Sequence, residues 1–533
     1  MVNQIATLSF AVENNHASKE GSADFDEAIK ACGYGKFHYC LLLLCGMMFL
    51  CVGLQNGINA YILPSAECDL RLSSEEKGLL NVAFLVGGVI SSLFWGIYAD
   101  AYGRKQTLLI TLFADSILSM ISSISQSFTL LLAFRGVSGF LIGAPGSLVY
   151  TYLGEFHSDR NRSKSICYVG FFWTLSWLVL PGLSWIILPL PFSIKVSGIL
   201  YNSWRFLLAL IGIPTFLVAL VGITYPESPK FLLSQGKSDE ALAILRKIYA
   251  VNTGQEEHDY PVKILLSEES SMTKDEVDGT SGRIELLLKN VWYQMRTIAS
   301  PPLLKYSILC WTMFFSNMFG YYGFGLWLPE LFNRFETYNE LHPNSSVAVC
   351  ELVKSKDVLP SGNGTMENAL LLPAVEAANH RVLCSGTIGE RVFINTLTIN
   401  AVCLFGNIAS GYLADRVGRR TMPVTTMLMA GLFGVVIYFM SSSLQILIVT
   451  CLFSLTISTA NFVLGSVVVD IFPTHVGAVA ICMTTCFGRI GAIASNLAFG
   501  MLLDISCEIP IFLVAAIVLA GGFLGLLIPV RKT

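Results

Sequence analysis

The chain has 533 residues, of which 53% are hydrophobic and only 13% charged, with a formal net charge of −3. Soluble domains carry roughly 25% charged residues, so most of this chain is not built to be wetted, and it reads as a multi-pass membrane protein. With no basic stripe in the sequence, a nucleic-acid partner is excluded.

Residues 1–36 are polar, with Asp24, Asp26, Glu27 and Lys30, and carry no cleavable signal peptide. They are expected to form a cytosolic tail, leaving targeting to the first span. A helix needs about 20 apolar residues to cross a bilayer. Backbone groups in lipid must find partners within their own segment, which makes such segments helices. Twelve are predicted: 37–64, 76–98, 106–125, 128–154, 165–189, 204–224, 303–332, 389–414, 421–441, 445–469, 477–503 and 509–530. They group into an N-terminal block, 37–225, and a C-terminal block, 303–530, so the expected fold is all-α with two six-helix repeats; residues 531–533 form a cytosolic C-terminus.

The linker from 226 to 302 contains SDEALAILRKIYA. Ser238 is placed to cap it, Asp239 and Glu240 stand in the first turn, and Arg246 and Lys247 come late. Leu242, Leu245 and Tyr249 share a face, which predicts a surface helix packed beneath both blocks. An acidic, Ser-rich tether from 255 to 282 follows, then a second amphipathic piece, RIELLLKNVWYQM. The long segment 333–388 carries two glycosylation sequons, at Asn344 and Asn363. Most of the 14 cysteines lie inside spans, where packing is the expected role. Cys350 and Cys384 fall in the 333–388 segment, and a disulfide or two free thiols are both open there.

One phrase occurs twice. GIYADAYGRK at 96–105 and GYLADRVGRR at 411–420 begin 315 residues apart, as do the acidic residues that end two later spans, Glu155 and Asp470. The chain is therefore two related halves, the arrangement that lets a transporter body rock around a midplane site. Lys and Arg mark the cytosolic loops. Arg104, Lys105, Arg160, Arg162, Lys164, Arg416, Arg419, Arg420, Arg531 and Lys532 all fall on one side, with both termini. The sequons fall on the other.

The paired GxxxDxxGR[KR] loops, PESPKFL at 226–232, EFHSDR at 155–160 and DIFPTH at 470–475, in that order, resemble the major facilitator superfamily. Within it, YILPSAECDLRLSSEEKGLL, NSWRF at 202–206 and PESPKFLLSQGKSDEALAIL are similar to the synaptic vesicle glycoprotein 2 group over roughly 25–530, the 333–388 segment apart. The resemblance implies a twelve-helix transporter fold with a cavity lined mainly by spans one, four, seven and ten and their neighbours. Matching positions are Gln55, Asn56 and Asn59, then Tyr150, Trp173, Trp177 and Trp185, then Tyr321 and Tyr322, then Asn461 and Phe462. Amides and aromatics dominate this set, and where the vesicle glycoproteins carry acidic residues in span one and a Trp and an Asp in span ten, this chain has Val52, Gln55, Asn461 and Gly465. Arg135 opens RGVSGFLIG, which resembles the superfamily's fourth-span coupling motif, and it is included as a binding candidate. Asp115 and Arg489 are the other intramembrane charges, functional or structurally paired.

A gate is expected at the repeated loops. Gly96 and Gly411 would let neighbouring helices approach, with Gly103 in the turn. Asp100 would pair with Arg160 or Arg162, Arg104 with Glu155, and Asp415, Arg419 and Asp470 would form the matching set, with His475 where an arginine is usual. A pair near 4 Å contributes up to about 4 kcal/mol before desolvation, against about 5.5 needed to swing a two-state equilibrium from 1:99 to 99:1. Several pairs must therefore act together.

No catalytic residues, metal ligands or cofactor site appear. HExxH and GxSxG are absent, and Gly236-Lys237-Ser238 is not a phosphate loop, because Phe231 stands where its first glycine belongs. Two readings remain: a secondary transporter moving a small organic solute, its coupling ion open, or a transporter-like membrane receptor or trafficking protein that does not transport. The membrane, plasma or vesicular, is also open.

Overall fold

The computed structural model describes residues 22–196, 199–266, 289, 291–341, 389–418, 421–440, 442–472, 474–503, 505–506 and 508–528. Helix α1 (Phe25–Ala31) precedes a first span broken into α2 (Lys36–Gly57) and α3 (Asn59–Leu70). Then come α4 (Ser74–Tyr102), α5 (Arg104–Ser122), α6 (Phe128–Gly154), α7 (Asp159–Ile187) and α8 (Ser203–Gly222). Two linker helices, α9 (Pro229–Ser234) and α10 (Ser238–Thr253), lead toward the second half. That half comprises α11 (Leu304–Leu341), α12 (Glu390–Val417), α13 (Thr421–Tyr438), α14 (Ser443–Ile471), α15 (Thr474–Leu502) and α16 (Glu508–Gly525).

Each of the twelve predicted spans has its helix. Among the described residues, nine are long and apolar enough to cross a membrane by length and composition, and the bent α4 makes a tenth. Helices α5 and α11 fall short of that measure, and in α5 the reason is that one face is polar. Thr107, Thr111, Asp115, Ser116, Ser119 and Ser122 lie buried against the neighbouring helices, so the polar face never meets lipid.

Helix pairing repeats with an offset of six spans. In the first half α2 packs on α7, α4 on α6, and α5 on both α6 and α8; in the second, α11 packs on α15, α12 on α14, and α13 on both α14 and α16. The halves meet along α4 and α15, α7 and α12, and α3 and α11. We call the end where α3 turns into α4 the loop end, and the end where α4 turns into α5 the linker end. Near the loop end and midplane, Leu54, Tyr61, Leu180 and Trp204 share one apolar core with Phe324, Trp327, Phe453 and Phe499 of the second half. At the linker end the first half keeps a core of its own, around Phe25, Cys45, Leu108, Leu153 and Leu245, with no second-half residue in it.

Four expectations need correction. The N-terminal tail is folded from residue 22: β1 (Ser22–Ala23) pairs in parallel with β4 (Ile264–Leu265), and α1 buries Phe25, Ala28 and Ile29. The linker helix α10 packs on α1 and α2 of the first half, with Leu242 and Leu245 buried. Asn252 in its last turn holds the turn before α2, its Nδ2 donating to the carbonyls of Cys32 and Gly33 at 3.1 Å. Ser238 is the first helical residue, and the cap position is Lys237, without a side-chain bond. Helix α11 continues to Leu341, about 57 Å of helix, so residues 333–341 belong to it. In addition, β2 (Ser193–Val196) and β3 (Ile199–Asn202) form an antiparallel hairpin between spans five and six. Asn344, Cys350, Asn363 and Cys384 lie outside the described residues.

Candidate functional site

A cavity of about 410 Å³ lies between the halves near the middle of the helices, within the size range of small-molecule sites. Eight of the expected residues line it: Asn56, Tyr150, Trp173, Trp177, Tyr321, Tyr322, Asn461 and Phe462. The aromatic edge is continuous, since Trp177 meets Tyr321 at 6.3 Å and Tyr321 meets Tyr322 at 5.3 Å between ring centroids. Two polar atoms of the wall, Asn56 Oδ1 and Trp177 Nε1, are buried without a hydrogen-bond partner. Such orphans cost roughly 1–3 kcal/mol each, and a ligand in the cavity would relieve them.

Four expected residues lie elsewhere. Trp185, in the last turn of α7, is 36% exposed, two turns beyond Trp177. Asn59 opens α3 and donates to the Leu80 carbonyl at 3.3 Å. Gln55 and Arg135 are buried inside the first half, where Arg135 donates to Gln55 Oε1 at 3.2 Å and to the Gln55 carbonyl at 2.7 Å. Gln55 in turn donates to Ser119 Oγ at 2.5 Å, and Ser138 donates to Asp115 at 2.6 Å. Arg135 also lies 4.6 Å over the ring of Phe84, which does line the cavity. Arg135 and Asp115 are thus a polar knot tying spans one, three and four together, set behind the cavity wall.

Sequence reasoning missed the contribution of span eight. Thr396, Asn400 and Asn407 reach the cavity from α12, joined by Ser454 and Ser458 of α14. The signal available was their recurrence at helical spacing in an otherwise apolar segment. Arg489, midway along α15, is the one charged residue lining the cavity among the described residues.

The repeated loop forms a cluster around Arg104. Its guanidinium lies 3.3 Å from Glu155 Oε1, 2.8 Å from Asp100 Oδ1, and 4.9 Å over the Phe231 ring. The expected Arg104–Glu155 contact is present, but Asp100 pairs with Arg104, one turn on, and not with Arg162. The reason is reach: Arg162 stands exposed beside Gly154, while Arg104 sits on the same helix corner as Asp100. A Cβ on Gly96 would meet nothing within 4 Å, so it does not serve close helix approach. Burial lowers the pKa of His157, whose Nδ1 lies 2.8 Å from the Leu153 carbonyl.

The unexpected member is Glu227 of PESPKFL. Its carboxylate accepts the backbone N–H groups of Arg104 at 3.0 Å, Lys105 at 2.9 Å and Gln106 at 3.4 Å. It therefore caps α5 where the helix offers unpaired N–H groups and partial positive charge. Gly103 makes this possible with φ +118°, and a Cβ there would stand 2.6 Å from Glu227 Oε2. Gly418, its counterpart in the repeat, also has positive φ, +101°. The side chains of Arg160, Asp415, Asp470 and His475, together with Gly411 and Arg419, lie outside what is described.

At the loop end a second set of charges, unforeseen, joins the halves. Lys77 Nζ lies 2.8 Å from Glu67 and 2.9 Å from Glu330, and Arg334 lies 2.8 Å from Glu330 and donates to Ser74 Oγ at 3.1 Å. Below it, Asn81 and Trp327 both donate to Asn496 Oδ1 at 3.1 Å. Gly78 lets α4 lie against α15, since a Cβ there would sit 3.0 Å from Gly500 Cα. Nearby, Asp69 accepts bonds from Asn202, Trp204 and Arg205, which explains NSWRF: the segment anchors span six to the end of span one.

Two six-span halves with matching helix pairs, closed at one end around a midplane cavity, define a membrane transporter of the major facilitator class. The chain belongs to the sugar (and other) transporter family, whose profile matches residues 2–341. It is similar to synaptic vesicle glycoprotein 2C of Mus musculus, 27% identical over 608 aligned residues that cover 98% of this chain and 82% of the relative. Synaptic vesicle glycoprotein 2B of Homo sapiens is 25% identical, with 95% and 85% covered. The fold is that of the xylose transporter XylE from E. coli in a partially occluded inward-open conformation: TM-score 0.62 and 15% identity, covering 93% of this chain and 100% of that one. A D-xylose–proton symporter matches with TM-score 0.59 and 12% identity over 92% and 98%.

Proposed function

We propose that this protein is a secondary transporter that carries a small organic solute across its membrane by alternating access, with both termini cytosolic. The observation that carries this reading is the asymmetry of the interface: at the loop end the halves share one core, whereas the linker end of the first half has a separate one. Halves joined at one end of a cavity and keeping separate apolar cores at the other fit one half of such a cycle. The six-helix bundles at 37–225 and 303–530 would be the rocking bodies, and the Arg104 cluster would brace the first of them. The eight lining residues named above, with Asn400, Asn407 and Arg489, would contact the solute.

Reconstituted vesicles containing the full chain test this. Cysteines at Asn81 and Asn496, in a background lacking other reactive thiols, should stop uptake when oxidised and release it when reduced. Uptake that continues with the halves bridged would overturn alternating access. No uptake across a broad solute panel, with a protein partner bound specifically, would favour the receptor reading.

A further inference from the structure

We infer that the cavity selects an organic monoanion, a carboxylate on a flat apolar body, with Arg489 as its counter-charge. This deepens the transporter reading by naming the class of solute. Arg489 is placed midway along α15, and its Nη1 donates to the Gly88 carbonyl at 2.5 Å. That contact orients one nitrogen of a group with five N–H donors and supplies no negative charge. The ionisable neighbours of Arg489 are Tyr322 and Cys486, and no carboxylate lines the cavity among the described residues. The intramembrane carboxylate of the first half, Asp115, is committed to Ser138 behind the wall.

A cation facing an enclosed, weakly polar space without a counter-ion attracts an anion and disfavours a cation. A neutral solute would leave the guanidinium uncompensated as the halves close over it. The planar fork of an arginine matches a carboxylate in two-point contact. The rest of the wall fits the body of such a solute: Phe49, Tyr150, Trp173 and Tyr321 offer apolar faces. The unpartnered Trp177 Nε1 can donate, and the unpartnered Asn56 Oδ1 can accept, so a solute carrying one hydroxyl as well would satisfy both halves of the cavity.

The test compares three probes with one skeleton, mandelate, mandelamide and 2-amino-1-phenylethanol, by calorimetric titration of the purified full chain. Mandelate should bind at least about tenfold more tightly than the amide, about 1.4 kcal/mol, and the amine should bind weakest. Arg489→Gln should erase the preference for the carboxylate while amide binding persists, and Arg489→Lys should keep part of it. The ranking in the unaltered protein stands even where a variant fails to fold. Amide binding as tight as mandelate, an unchanged preference in Arg489→Gln, or no binding by any of the three would overturn the inference. Mandelate bound but never moved would uphold it and remove transport instead; uptake of neutral or cationic solutes alone would do the reverse.

Discussion

The two ends of the molecule use charge in opposite ways. At the linker end, Arg104, Asp100, Glu155 and Glu227 all belong to the first half and its linker, so the repeated loop braces one body internally. At the loop end, Lys77 is held between Glu67 of its own half and Glu330 of the second, so the charges there tie one body to the other. The difference in burial follows. The Lys77 and Glu330 side chains are 2% and 7% exposed, whereas Asp100 is 49% exposed. The residues that announce themselves by repetition therefore pair within one body, and the charges that join the two bodies lie outside the repeated phrase.

The sharpest way to break this contrast is Lys77→Met. Removing one partner of a buried pair leaves an uncompensated charge and costs about 3–5 kcal/mol. The cost falls on the conformation closed at the loop end, so thiol accessibility of a cysteine placed at Asn81 should rise steeply. A reversed pair, Lys77→Glu with Glu330→Lys, should recover part of the closure; unchanged accessibility in Lys77→Met would remove the latch.

Smaller effects are expected at the linker end, and they should appear as stability rather than as exposure. Gly103→Ala must hold an alanine at φ +118° against Glu227 Oε2, which costs about 1–3 kcal/mol. Thermal unfolding in detergent reads this, and a melting temperature equal to that of the parent would show that the turn can relax. Glu227→Gln keeps the shape of the cap but loses its charge at a helix N-terminus, about 0.3–1 kcal/mol at exposed sites and up to about 2 in partly buried ones. The loss should shrink when Arg104 is already Gln, as a double-mutant cycle would reveal. Asp100→Asn breaks only a half-exposed pair one turn apart, so it should shift stability by less than about 0.5 kcal/mol. An effect as large as that of Lys77→Met would mean that the linker-end loop carries the gate after all.

Much of the architecture was legible because lipid imposes it. A segment of about 20 apolar residues has to be a helix, and a phrase repeated 315 residues later has to occupy equivalent places, as the positive φ of both Gly103 and Gly418 bears out in the backbone. Eight cavity residues were legible too, because the family resemblance points to particular spans and amides and aromatics stand out within them. Trp185 and Asn59 stood out equally and point elsewhere, since spacing along one helix does not say which face meets the second half. Arg135 illustrates the same gap: its charge signalled importance, but only the packing of spans one, three and four shows that Gln55 absorbs it.

Span number, the internal repeat and the halving of the chain are thus properties of the sequence by itself, since hydropathy and repetition are local and additive along it. The partners of Lys77, Glu227 and Arg489 were decided in tertiary structure alone. Their contacts join positions 253, 123 and 401 residues apart; Glu227 finds its partners where the linker folds back on the first half, and those of Lys77 and Arg489 depend on how the two bundles close around the space between them.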